Sequence, residues 1–385
     1  MDKKICVITS TRADYGLLKP VLLKIKEDFD LQLIVTGMHL SEKYGLTVNE
    51  IKKDGFKIDA QIHMDLENDQ PKAITKAMSQ ELSNFSDVYD LLKPDLLMTL
   101  GDRYEILIAV TAATIFNIPI AHLCGGDITE GAYDNSIRDA ISKLSHLHFV
   151  TNKFSKRRLI QMGENPQYVF NFGNPGLQTM ENFKATSKIE LGELLKMNFN
   201  LHNFVILIHP VTLEGDDERL IDELLKALDF FNDKDHNFIF ILPNCDNNNN
   251  IISTKIIDYS KRNSNTYFFK SLIRQFFLSL ISHAEIFIGN SSAGIYEVPF
   301  LHKPTINIGN RQKNRLRPCS VLNCNPSSED IVEKIKIALK VNCLNSKQVY
   351  KIKKTADLIL QQLHKLCFKG LLLKEFHLCE CKKKI

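Results

Sequence analysis

The chain lacks any apolar run approaching the roughly 20 residues that a helix needs to cross a bilayer, which argues against a membrane-spanning helix as its organising element. It lacks an excess of one charge: 49 Lys and Arg stand against 45 Asp and Glu, a net +4 over 385 residues. The basic residues are spread along the chain, so the electrostatic footprint of a nucleic-acid-binding surface is missing. A disulfide framework is missing too. The nine cysteines are an odd number, scattered through apolar runs such as Ile5-Cys6-Val7 or in polar loops, which fits reduced thiols in a cytoplasmic protein. His377, Cys379 and Cys381 have loosely metal-like spacing, but no second cluster completes four ligands, and no metal is expected. Met1-Asp2-Lys3-Lys4-Ile5-Cys6-Val7 runs straight into a strand-like segment and does not read as a signal peptide.

What is present is material for a core. With 44% hydrophobic and 24% charged residues, a chain of this length reads as a soluble globular protein, most simply of two domains. Strand-like runs occur at Ile5-Ile8, Leu31-Val35, Leu96-Leu100, Ile118-Leu123, Leu147-Val150 and Tyr168-Phe172, with helical patterns between them, such as Leu17-Ile25 and Glu81-Leu92. A second series follows at Phe204-Ile208, Phe238-Leu242, Tyr267-Phe269, Glu285-Ile288 and Thr305-Ile308. Such alternation predicts an α/β fold, two doubly wound parallel sheets with helices on both faces. The polar stretch Glu181-Asn200 marks the boundary. The expected units are residues 1–180, a nucleotide-binding unit over 200–350, and a C-terminal helical piece over 351–385. Asn247-Asn250 reads as a surface loop.

The most informative segment is Ile286-Phe287-Ile288-Gly289-Asn290-Ser291-Ser292-Ala293-Gly294-Ile295-Tyr296-Glu297. An apolar run stops at Gly-Asn, two hydroxyls follow, and a helical pattern starts. Ser291 or Ser292 suits its cap, and a helix start favours an anion. Glu297, one turn on, is an acceptor placed for a sugar hydroxyl. Phosphate plus ribose is a nucleotide signature, although an ordinary capped helix has the same look. The polar residues elsewhere bear on the choice, because ligands of open α/β sheets bind beyond the carboxyl ends of the strands. Thr9-Gly16, Gly101-Asp102-Arg103, Cys124-Gly125-Gly126-Asp127, His209-Pro210-Val211-Thr212, Pro243-Asn244 and Gly309-Asn310-Arg311 all follow strand-like runs directly.

Thr11-Arg12-Ala13-Asp14-Tyr15, Gly101-Asp102-Arg103, Asp134-Asn135-Ser136-Ile137-Arg138, His209-Pro210-Val211-Thr212, Gly289-Asn290-Ser291-Ser292 and Arg311-Gln312 together resemble the UDP-N-acetylglucosamine 2-epimerase family. The similarity runs in order from near residue 4 to about residue 315. Its motifs resemble the hydrolysing branch, which serves sialic-acid-type biosynthesis. The resemblance implies two Rossmann-like domains facing a cleft (the glycosyltransferase-B architecture), with a C-terminal helix, expected at Ala356-Leu366, crossing back to the first domain. It also implies a cytoplasmic enzyme without cofactor, commonly a dimer or tetramer. The expected reaction converts UDP-N-acetylglucosamine and water to N-acetylmannosamine and UDP. A relative of that sugar is the alternative, on UDP or GDP, including the 2,4-diacetamido-2,4,6-trideoxy sugar that leads to legionaminic acid. A glycosyltransferase or a nucleotide-sugar sensor could share the fold.

That chemistry explains the residue types. The C2 proton of an N-acetylhexosamine becomes acidic only as the C1–O bond to the diphosphate loosens. The anion must therefore be gripped while a carboxylate takes the proton. Hydration of the resulting glycal with inversion needs a second acid/base group. By resemblance Asp102 and Asp134 are the acid/base pair, and His209 touches sugar or phosphate. Arg12, Arg103, Asn244, Lys270, Ser291, Ser292, Glu297 and Arg311 are nucleotide- or substrate-binding positions. Several family members carry a third carboxylate in a His-x-Glu-Gly-Gly loop. This chain has His122-Leu123-Cys124-Gly125-Gly126-Asp127, and a thiol of pKa about 8.5 is a poor replacement. Asp127, or Glu130, is expected to take over part of that role. On sequence alone Asp102 and Asp134 also suit helix caps, His209 a loop histidine, His146 and His148 a structural strand face, and Arg315 and Arg317 a solvated loop.

Overall fold

The structure, a computed structural model, describes residues 3–213, 215–243, 249–344 and 346–378. Asn244 and residues 247–248, 379 and 381 of the segments singled out above lie outside the described residues. The first half holds a parallel seven-stranded sheet, with β1 (Lys4–Thr9), β2 (Asp30–Thr36), β3 (Ala60–Ile62), β4 (Leu96–Leu100), β5 (Ile120–Leu123), β6 (Leu147–Val150) and β7 (Val169–Asn171) in the order β3-β2-β1-β4-β5-β6-β7. The second half holds a parallel six-stranded sheet. Its strands β8 (His202–Leu207), β9 (His236–Ile241), β10 (Thr266–Phe269), β11 (Ile286–Gly289), β12 (Thr305–Ile308) and β13 (Val321–Cys324) run β10-β9-β8-β11-β12-β13. The strand order reverses once in each sheet, between β1 and β4 and between β8 and β11. There the connections leave to opposite faces and open a crevice beyond the strand ends.

Central strands are buried almost throughout and mostly apolar, as expected where helices cover both faces of a sheet. Ile5, Cys6, Val7, Ile8 and Thr9 of β1 are all buried. The strands that the sequence pattern does not reveal, Ala60-Gln61-Ile62 and Val321-Leu322-Asn323-Cys324, are both at sheet edges, where one face stays polar. The loop after β1 is coded locally. Thr11 Oγ1 accepts from the Asp14 amide at 3.2 Å, and the Asp14 carboxylate accepts from the Thr11 amide at 2.9 Å. This capping box starts the helix Arg12–Asp28 and sets where Arg12 stands.

Asn247-Asn250 is not wholly a loop. Asn249 opens the helix Asn249–Arg262 and is buried. Its amide donates to the Tyr44 hydroxyl at 3.2 Å, and the Asn250 N–H donates to Asp69 at 3.3 Å. Both partners lie in the first half, so the local polarity that suggested solvent serves a contact between halves.

The helix Thr355–Lys365 sits on the first half, where Ala356, Ile359 and Leu363 share a core with Leu18, Leu22 and Ile25. Lys374, further on, lies 2.7 Å from Glu164, which also meets Lys143 at 2.8 Å and His148 at 2.9 Å. Burial raises the Glu164 carboxyl, but His148, Lys143 and Lys374 outweigh it and hold it at about 2, below its ordinary 4.5. A carboxylate depressed on folding contributes stability that is fully present above pH 4.5 and is lost as the pH falls towards 2. Thermal unfolding of Glu164→Gln should therefore depend less on pH than that of the native chain between pH 4.5 and 2. Superimposable acid limbs would show that this cluster contributes no such linkage.

Candidate active site

The loops at the two crossing points line one cleft of ≈ 1410 Å³, its open mouth included. Arg12 follows β1, Asp102 and Arg103 follow β4, and Asp134 and Arg138 stand on the helix Asp134–Leu144. From the second half come His209 after β8, Lys270 after β10, Ser291, Ser292 and Glu297 after β11, and Arg311 and Arg315 after β12.

Asp102 does not cap a helix, because Arg103 holds the cap position of Tyr104–Ile115 and makes no side-chain cap bond. One Asp102 oxygen instead forms a short ion pair with Arg138 and accepts from Thr129 Oγ1 at 3.4 Å. The preceding Gly101 carbonyl accepts from His122 Nε2 at 2.8 Å. A carbonyl only accepts, so the His122 hydrogen sits on Nε2, and Nδ1 receives the Ser142 hydroxyl at 3.1 Å. Burial pushes His122 down to about 3. It stays neutral and fixes the turn that carries Asp102. Asp134 opens its own helix, one position past the cap, and accepts from Arg311 of the second half at 3.3 Å.

Arg103 is braced by the fully buried Glu105, 3.0 Å from Nε. Arg12 lies 5.3 Å from the Phe277 ring centre. Burial lowers its guanidinium to about 10, Glu50 and Glu297 resist the fall, and Arg274 adds to it. Arg12 remains a cation at neutral pH. Asn290 pins the His209 backbone from both sides, accepting from its N–H at 2.7 Å and donating to its carbonyl at 2.8 Å. The amides of Gly294 and Ile295 bond to the Ser291 and Ser292 carbonyls at 3.1 and 2.9 Å. The hydroxyls are thus the groups this segment presents, with Ser291 Oγ also accepting from the Ala293 amide at 3.3 Å. Lys270 is exposed on the rim. A cleft lined by several guanidinium groups with carboxylates among them can grip a dianion while moving a proton beside it.

Asp127 does not line this cleft, and the expectation that it replaces the third carboxylate needs correction. It is buried behind Tyr296, and its oxygens accept from Thr151 (2.7 Å), Ser155 (2.6 Å), Asn152 (3.3 Å) and the Tyr296 hydroxyl (2.6 Å). Acceptor capacity filled by fixed donors leaves little for a substrate proton. Gly126 makes that burial feasible. Its φ is +74°, and a Cβ there would lie 2.6 Å from the Ser155 carbonyl oxygen. Cys124 is no base either, because burial pushes its thiol far up. Arg315 is no solvated loop residue. It donates to the Ile128 carbonyl at 2.5 Å and to Thr129 Oγ1 at 3.2 Å, and lies 5.6 Å from the Tyr296 ring centre. Sequence reasoning passed over Arg138, Arg274, Tyr296 and Arg315 as site residues. Arg138 lay inside a quoted motif, whereas Tyr296 and Arg315 have no local signal, since their partners lie in the other half.

A sequence model described as UDP-N-acetylglucosamine 2-epimerase matches residues 22–364. The GDP/UDP-N,N'-diacetylbacillosamine 2-epimerase (hydrolyzing) of Campylobacter jejuni is 42% identical over 83% of this chain and 84% of that protein. The UDP-N,N'-diacetylbacillosamine 2-epimerase (hydrolyzing) of Legionella pneumophila is 36% identical over 95% of this chain and 99% of that protein. Among solved structures, the Methanocaldococcus jannaschii UDP-GlcNAc 2-epimerase in complex with UDP-GlcNAc and UDP superposes with a TM-score of 0.79 over 94% of this chain and 99% of that one. At 18% identity this likeness is one of fold, and it matches the two-sheet architecture described above.

The Tyr296–Asp127 bond joins the two halves directly. Tyr296→Phe removes it at an expected cost of about 1.5–3 kcal/mol, the usual range for a hydrogen bond to a charged group. Calorimetry should show a lowered unfolding transition, and an unchanged one would mean that the bond contributes nothing.

Proposed function

Because the chain belongs to the UDP-N-acetylglucosamine 2-epimerase family, we propose that it is a hydrolysing 2-epimerase of a nucleotide-linked 2-acetamido sugar. One observation carries this reading: Asp102 and Asp134 of the first half share a cleft with Ser291, Ser292, Glu297 and Arg311 of the second. In this reading Arg12, Arg103 and Arg311 grip the diphosphate, Glu297 receives a ribose hydroxyl, and His209 contacts sugar or phosphate. As the C1–O bond breaks, one of the two aspartates takes the C2 proton, leaving a glycal and the nucleoside diphosphate. Water then adds across the double bond, its hydroxyl to C1 and a proton to C2 from the opposite face. The second aspartate takes that proton from the adding water and passes it to C2, while the first aspartate releases the one it took to solvent. An incoming diphosphate offers Arg311 a stronger partner than Asp134, which frees this carboxylate for proton transfer.

We assign the sugar first to the 2,4-diacetamido-2,4,6-trideoxy class, following what the two relatives are named for. Met38, Tyr44 and Leu100 in the cleft wall suit a C6 methyl better than a hydroxymethyl. UDP-N-acetylglucosamine is the second reading, favoured by the family description. We place the reaction in the cytoplasm, in keeping with the free described cysteines. No helix among the described residues is long and apolar enough to cross a membrane.

Turnover of UDP-linked candidates in deuterated water tests this. The expected product is a free sugar inverted at C2 and carrying deuterium there, made in the absence of any acceptor. Asp102→Asn and Asp134→Asn should each reduce the rate by about 100-fold or more, the usual worth of a general acid or base. Transfer only to an added acceptor would establish a glycosyltransferase instead, and tight binding without turnover a sensor. The ratio of kcat/KM values for the two sugars decides the substrate.

A further inference from the structure

We propose that Arg274 is a positioning residue for the nucleotide: it orients the Glu297 carboxylate towards the ribose and ties that orientation to the first half of the molecule. The proposal rests on Glu297 as the ribose acceptor. Arg274 begins the helix Arg274–His283, and its Nη1 lies 3.1 Å from Glu297 Oε1, with both side chains largely buried. Its Nη2 donates to the Gly176 carbonyl at 3.0 Å. Gly176 is buried in the segment Pro175–Asn182, which connects the two halves. A Cβ at Gly176 would lie 2.2 Å from Leu17 Cδ2, so this segment rests against the helix Arg12–Asp28. The Arg274 stem passes Gly16 of that same helix, where a Cβ would lie 3.0 Å from Cδ and 3.2 Å from Nη1.

The guanidinium is thus held at a carboxylate, a carbonyl and the bare face of a glycine. One arm of the planar fork bonds the carboxylate and the other the Gly176 carbonyl, so the guanidinium is itself fixed in plane and meets Glu297 from a set direction, which the single point charge of a lysine does not do. With Oε1 engaged by Arg274, Glu297 Oε2 accepts from none of the described residues and remains for a ligand donor. Arg274 and Glu297 both line the cleft, beside Arg12. The lowering of the Arg12 guanidinium by Arg274, and its support by Glu297, reflect the same proximity. An ion pair that served stability alone would need neither the close passage over Gly16 nor the carbonyl offered by the connector. Those two features make the posture of Glu297 depend on how the halves meet.

Calorimetric titration with UDP and with 2′,3′-dideoxy-UDP tests the proposal. The native protein should prefer UDP by about 10-fold or more, the worth of a hydrogen bond to a carboxylate. Arg274→Ala should bind the two nucleotides nearly equally, and Arg274→Lys should recover part of the preference. Gly16→Ala keeps every charge and raises helix propensity, so its fold is safe. By crowding Arg274 it should also diminish the preference. If the native protein prefers UDP and both Arg274→Ala and Gly16→Ala do so equally, Arg274 is not a positioning residue and the nucleotide reading stands. If the native protein shows no preference, Glu297 does not read the ribose and the proposal falls with that assignment, whereas the deuterium result judges the epimerase reading by itself.

Discussion

Asp134 and Arg311 stand 177 residues apart in the chain and meet at 3.3 Å. Around this pair the loop after β5 is bonded to the loops after β8 and β12. The Glu130 amide donates to the Arg311 carbonyl at 3.1 Å, the Leu213 amide to Gly131 at 2.8 Å, the Tyr133 amide to Thr212 Oγ1 at 3.1 Å, and Arg315 to Ile128 at 2.5 Å. Ions withdrawn from water are costly unless each finds partners. Here the arginines of the second half find theirs among the carbonyls and carboxylates of the first. The site therefore exists as a joint: the first half brings the two aspartates with Arg12 and Arg103, and the second brings the serines, Glu297 and Arg311 that face them.

Behind that joint three buried titratable groups are held uncharged. His122 is kept neutral and donates to Gly101, which sets the turn before Asp102. Burial and Asp127 drive the Tyr296 phenol far above its ordinary value, so it stays a donor to that carboxylate. Cys124 stays a thiol for the same reason. These three groups thus add no charge beside the buried Asp127 carboxylate and the Arg103–Glu105 ion pair. Cys124 adds no base at the position where the resemblance implies a third carboxylate. In the proposed reaction the acid/base work then rests on the pair Asp102 and Asp134.

Most of the fold was legible because central parallel strands are predominantly apolar, and each ends at a polar turn. Two of the four edge strands were not, since Ala60–Ile62 and Val321–Cys324 are short and half polar. The asparagine run misled for a related reason. Asn249 is polar because it bonds Tyr44 across the cleft, and a sequence window cannot tell that from solvent.

The residues of the chain by themselves determined the two strand–helix series and the capping box at Thr11 and Asp14. They also determined the placement of Arg12, Asp102, His209, Ser291 and Arg311 just beyond strand ends. These are short-range properties, set by periodicity and by side chains that bond their own neighbours. Only the tertiary structure decided that Asp127 is buried against Tyr296, that Arg315 closes on the first half, and that Arg138 holds Asp102. Each of those outcomes depends on which distant donor or acceptor arrives when the halves close, and such a pairing leaves no periodic trace in either partner's surroundings.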